Sequence, residues 1–176
     1  MGQAQLLQEQ LRQAKEFLHG TLADVTPEQA HWLPPGTANP VGATYGHVIL
    51  GEDTFVNVVL RGGETLASRE WASRLGMDPA PPSLFPPQPW HEWGRSVKVD
   101  LAAMREYAHA VFENTEQYIG SLSAADLEGK MDLSPLGLGE PAMTWVISNA
   151  VLAHRLSHWG EIACLKGMQG AKGLPF

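Results

Sequence analysis

Two histidines in the stretch AHRLSHWGEI, His154 and His158, are four residues apart. On a helix that spacing places them one turn from each other, close enough for both imidazoles to reach one cation. At about 100° per residue, Ile147, Val151, His154, His158, Glu161, Ile162 and Leu165 fall within about one third of a helix circumference. Both rings therefore share a face with apolar side chains, and an imidazole pair there needs hydrogen-bond or metal partners to offset its desolvation. Two such histidines also occur by chance, satisfied by neighbouring hydroxyls and water. His47 is the natural third ligand: it belongs to a different helix, and Gly51 and Thr54 on its own face leave room for an ion. Its plainer role is a histidine at the edge of the core. Three neutral imidazoles leave an ion its full charge and at least one open coordination position, an arrangement that suits catalysis better than scaffolding. Glu161, on the same face, is the candidate catalytic carboxylate; it either accepts a proton from bound water or orients a ligand imidazole. His19, His31, His91 and His109 are expected to be solvated.

Other chemistries find less support. The net charge of −7 and the lack of any Lys/Arg run disfavour a nucleic-acid partner. The lone cysteine, Cys164, allows neither an internal disulfide nor a cysteine-based zinc site, and is expected to pack rather than react. Gly137-Leu138-Gly139 follows no strand, so a nucleotide loop is not expected. Glu28-x-x-His31 and Glu106-x-x-His109 have the spacing of di-iron carboxylate bundles. Glu106, however, lies nearly opposite its helix's apolar stripe, and Glu28 sits in a proline-broken connector. The N-terminus lacks a basic start followed by an apolar block, and no apolar run approaches the roughly 20 residues that span a bilayer. The expectation is a cytoplasmic protein with no membrane partner, acting on a small-molecule substrate.

The elements that must position the histidines follow from periodicity. With 176 residues, 44% hydrophobic and 18% charged, the chain suits one globular domain over 1–176. Leu7, Leu11, Ala14, Leu18, Leu22 and Val25 mark a helix over about 3–24. Thr26-Pro27-Glu28-Gln29 reads as a capping box opening a short connector that Pro34-Pro35-Gly36 stops. A second long helix runs from about 43 to 60. Residues 64–75 are expected to add a short helix before MDPAPPSLFPPQPW, too rich in proline for regular structure. That crossover carries Phe85, Trp90 and Trp93, which either wall a pocket or pin the loop. Leu101, Met104, Ala108, Val111, Phe112, Thr115, Ile119 and Leu122 give a third long helix, and about 144–168 a fourth. The expected fold class is all-α: a four-helix bundle with a long crossover between its second and third helices. Trp145, Leu152, Leu156, Trp159 and Ala163 form a second apolar stripe on the last helix, which predicts a homodimer through the Trp145/Leu152/Leu156/Trp159 face.

The stretches YGHVILGEDTF and HRLSHWGEI, with Trp-Leu-Pro-Pro-Gly before the second helix, resemble the DinB-like superfamily of small helical metalloproteins. The resemblance implies a four-helix bundle, usually dimeric, in which His47, His154 and His158 hold a divalent ion. Where that family commonly has Arg-Gly-Gln after the last ligand, this chain has Trp159-Gly160-Glu161. Relatives use the ion to activate a low-molecular-weight thiol for transfer or isomerisation, and others carry only a hydrolase description. The implied function is a metal-dependent thiol S-transferase or isomerase, or a hydrolase, with zinc or nickel as cofactor and a low-molecular-weight thiol as cosubstrate. The alternative is a non-catalytic metal-binding or stress-related bundle. The glycine-rich tail KGMQGAKGLPF is expected to fold back over the bundle end.

Overall fold

The computed structural model describes residues 2–82 and 90–176. Four long helical segments form the bundle. They are α1 (Gln3–Leu22), α3 (Val41–Asp53), α5 (Leu101–Ser121) and α8 (His154–Met168). α2 (Pro27–His31) sits in the first connector, opened by the expected capping box: Gln29 N–H donates to Thr26 Oγ1, and Thr26 N–H to Gln29 Oε1. α3 runs on without a break as a π-helical stretch, Thr54–Leu60; after the short α6 (Ala124–Glu128), α8 is preceded by α7 (Met143–Val146) and a second π stretch, Ile147–Ala153. Wide π turns inside long helices recur at functional sites, and here one lies on each of the two helices that carry the histidines.

The core follows the apolar periodicity. Leu7, Leu11, Ala14, Leu18, Leu22 and Val25 of the first stripe are all buried. So are Leu101, Met104, Ala108, Val111, Phe112, Thr115 and Ile119 of α5, whose first turn is capped by Asp100 Oδ1 accepting from Ala102 and Ala103 N–H. α3 packs on α5 and α8, and α1 on α5 and α8. α3 is buried nearly all round because the crossover covers the side turned away from the bundle. Gly42 and Gly46 permit that approach: a Cβ at Gly46 would stand 2.9 Å from Met77 Sδ, and one at Gly42 would meet Val99.

The crossover departs from expectation in two places. Residues 64–75 form turns rather than a helix, because the buried Asp53 carboxylate captures their amides: Oδ1 accepts from Leu66 N–H and Oδ2 from Ala67 N–H, both at 2.9 Å. Tyr107 Oη and Asn57 Nδ2 donate to the same carboxylate. The proline-rich stretch is also partly regular. β1 (Met77–Asp78) pairs antiparallel with β2 (Lys98–Val99), and α4 (Trp90–Ser96) lies between them in sequence. Trp93 is buried and donates to Pro79 O, which pins the crossover, whereas Phe85 lies outside the described residues.

Three further expectations need correction. His31 is not solvated: its Nδ1–H donates to Pro27 O and its Nε2 accepts from Val99 N–H, so the ring ties the first connector to β2. His19 packs against Phe112, and burial lowers its pKa to about 4. Cys164 is exposed rather than packed. The tail does fold back, with Pro175 against Gly20 and the Phe176 ring 5.6 Å from that of Phe17. Among the described residues no helix is long and apolar enough to cross a membrane.

Candidate metal centre

α3 and α8 lie against each other, and the contact is fixed by a charge pair that periodicity did not reveal. Arg155 and Glu52 are 1% and 2% exposed, with Arg155 Nη2 at 2.6 Å from Glu52 Oε1 and Nε at 3.0 Å from Oε2. Arg155 Nη1 donates to Leu11 O, and its guanidinium lies over the Phe112 ring, so one side chain joins α8 to α1, α3 and α5. Buried ions survive only when such hydrogen bonds replace water. Arg155 directly follows the ligand candidate His154, and on α3 Glu52 follows Gly51, which packs against the His154 ring.

With the helices so placed, the three sequence-predicted histidines meet. His47 and His154 present their Nε2 atoms 3.1 Å apart, and one nitrogen from each of His47, His154 and His158 lies within 4.8 Å of the others. Ring centroids are 5.1 Å apart for His47–His154, 4.9 Å for His47–His158 and 4.6 Å for His154–His158. Two nitrogens each about 2.0–2.1 Å from a tetrahedral zinc stand about 3.3 Å apart, close to the His47–His154 spacing. The donor set therefore fits a divalent ion. Gly51 makes the approach possible, since a Cβ there would stand 3.2 Å from His154 Cε1.

The electrostatics match. Burial first, and the neighbouring imidazole charge of His158 second, lower the pKa of both His47 and His154 to about 4. Both rings are thus neutral at pH 7, with nitrogen lone pairs available to an ion. His158 donates from Nδ1 to Glu161 Oε2 at 2.7 Å, which leaves its Nε2 for a ligand. That hydrogen bond also holds the Glu161 carboxyl below its usual range. Of the two roles weighed for Glu161, the geometry is that of a carboxylate orienting an imidazole. Trp90 of the crossover packs against His47 in a T-shaped arrangement, centroids 5.2 Å apart, and also against Trp93.

Sequence reasoning missed Glu52 and Arg155. The available signal was a charge ending the apolar run Val48-Ile49-Leu50, and an arginine standing between the two apolar stripes of α8. The second stripe is partly covered within the chain: Trp159 donates to Thr21 Oγ1 and stacks on Phe17 at 4.9 Å, while Trp145 is 45% exposed.

The model of the DinB superfamily matches residues 10–162. The chain belongs to the DinB superfamily. A solved structure, described as a conserved protein from Enterococcus faecalis, superposes with a TM-score of 0.77 at 21% identity, covering 94% of this chain and 96% of that one. At that identity the likeness is one of fold. No curated protein matches this sequence. Superfamily membership and the three-histidine cluster are together compatible with metal binding.

Proposed function

We propose that this DinB-superfamily protein is a metal-dependent enzyme in which His47, His154 and His158 hold a divalent cation, zinc or nickel, and the substrate is a low-molecular-weight thiol or water. The observation that carries the reading is the convergence of three imidazoles from α3 and α8, two of them held neutral by burial. When bound, such an ion lowers the pKa of a thiol or water within its reach, which supplies a nucleophile at neutral pH. The chain's own residues do the rest. His47 and His154 need release no proton to act as ligands. Glu161 fixes the His158 tautomer through Nδ1–H. Trp90 shields the His47 side from water. The small-molecule partner would enter between the histidines and the crossover.

Elemental analysis of the wild type beside His47→Ala and His154→Ala tests the ligand set, because loss of one of three ligands should remove most of the bound metal. Equal occupancy in either variant defeats the assignment. A conjugation assay on metal-loaded protein with several small thiols, and a hydrolysis assay beside it, then test catalysis. A second reading, a metal-binding bundle without catalysis, is favoured by the engagement of Glu161 with His158, which commits one carboxylate oxygen to orienting that ring. Inertness in both assays, with metal bound, selects it. We further propose a homodimer through the α7–α8 face around Trp145, Leu152 and Leu156, where Trp145 is exposed. Trp159, included in that face from the sequence, is mostly engaged within the chain. A monomeric mass by light scattering refutes the dimer.

A further inference from the structure

Among the described residues, two hydrogen bonds join the first connector to the crossover: Arg95 Nη1 donates to Ala38 O, and the His31 ring receives the amide of Val99. The second of these fixes a protonation state. A backbone amide can only donate, so the Nε2 that faces Val99 N–H at 2.8 Å must carry a lone pair. The ring's one proton then sits on Nδ1, 2.7 Å from Pro27 O, which accepts it. Both nitrogens are committed to backbone partners of opposite kind, and only the neutral imidazole protonated at Nδ1 satisfies the two together.

A second proton on this ring would turn its acceptor into a donor and set Nε2–H against Val99 N–H. Histidine is the side chain whose charge changes between about pH 5 and 8, and this ring is only half-buried, within reach of water. The charged groups on the elements packed there are Glu28 of α2, Lys98 of β2, Asp78 opposite Lys98 on β1, and Asp100 after Val99; the first turns of α3, Val41–Gly46, carry none. Val99 N–H bonds to none of them, so its hydrogen bond reports the state of His31. The Val99 side chain fills the notch left by Gly42, and β2 pairs with β1, whose Met77 lies over Gly46. Between the two strands in sequence is α4, with Trp90 against His47. The Arg95 bond to a carbonyl has no titratable acceptor and persists in acid, which confines any opening to the β2 end of the crossover.

We propose that His31 is a proton-operated latch on the crossover: neutral, it holds β2 to the first connector, and protonated, it releases that strand. The proposal is independent of the metal reading and is tested on the metal-free, isotope-labelled full chain by NMR between about pH 8 and 5. The Val99 amide shift should follow the His31 ring signals with a common midpoint. Exchange protection of Val99 N–H, corrected for the intrinsic pH dependence of exchange, should fall by about fivefold or more over this range, the effect of losing one net hydrogen bond. Val111 N–H, in the middle of α5, reports opening of the whole bundle and should lose less. His31→Phe, which keeps a ring without nitrogens, should show at pH 8 the low Val99 protection that the wild type reaches at pH 5, and no further drop between them. A His31 ring that titrates without moving the Val99 amide overturns the proposal. So does a loss of protection at Val99 that Val111 matches, or one that persists in full in His31→Phe.

Discussion

Replacing Gly51 by alanine sets two effects of opposite sign against each other within one methyl group. The new Cβ would lie 3.2 Å from His154 Cε1 and 3.9 Å from its Nδ1 and Nε2. Carbon atoms in relaxed contact are about 3.5–4.0 Å apart, so the ring must withdraw by roughly 0.3–0.8 Å. Ligand distances in a working metal site tolerate about 0.2 Å, and the helix bearing His154 cannot slide to compensate while Arg155, the next residue, is clasped by Glu52. The metal affinity of Gly51→Ala should therefore fall by about 10- to 100-fold, the range seen when groups that orient ligands are disturbed. The same substitution removes a glycine from the interior of α3, which favours the helix by roughly 0.5–1 kcal/mol. The metal-free variant should accordingly unfold at a higher urea concentration than the metal-free wild type, or at an equal one if the displaced ring costs as much as the glycine gave. Competition with a chelating dye measures the first quantity and chelator-treated urea melts the second. Unchanged affinity would refute the claim that Gly51 sets the ring position.

Three further outcomes follow from the same geometry. Glu52→Gln leaves a buried guanidinium without its counter-charge and should destabilise the metal-free protein by about 3–5 kcal/mol, while Glu52→Gln/Arg155→Met together should cost less; calorimetry of both variants checks this, and a harmless single variant contradicts it. His47 and His154 have folded pKa values of about 4, below the unfolded value of 6.5, so the unfolded chain binds more protons between these limits. Stability of the metal-free protein should be level above about pH 6.5 and fall as pH drops toward 4, by on the order of 3 kcal/mol per ring at most, and urea melts that strengthen in this window would refute it. Glu161→Ala should weaken metal binding by about 10- to 100-fold and Glu161→Gln by less, because the amide still accepts from His158 Nδ1–H; equal affinities for both variants and wild type in the dye assay would remove Glu161 from the site.

The bundle and the histidine cluster were legible because both rest on the 3.6-residue period. Leu7, Leu11, Ala14 and Leu18 recur at helical spacing, and so do His154 and His158, and the rings come together where α3 meets α8. What escaped was set by partners remote in sequence. Arg155 and Glu52 are 103 positions apart, and a charge on a helix reads as wet until both of its flanks prove to be covered. His31 reads as a surface residue until the amide of Val99, 68 positions away, docks on its Nε2. The helix expected over 64–75 failed because two of its amides had a stronger acceptor in Asp53 than in their own carbonyls. Period describes what a segment does alone, and these three contacts are decisions between segments.

The clasp between Arg155 and Glu52 separates architecture from cargo. That pair ties α3 to α8 through the chain's own side chains, so chelator treatment of metal-loaded protein should leave the bundle folded; loss of its helical circular dichroism on chelation would refute this. One preparation can then be refilled with zinc, nickel, cobalt or copper in turn, and each loading compared on an identical scaffold. If the three histidines hold an ion as proposed, supply and ligand chemistry would decide which metal it is.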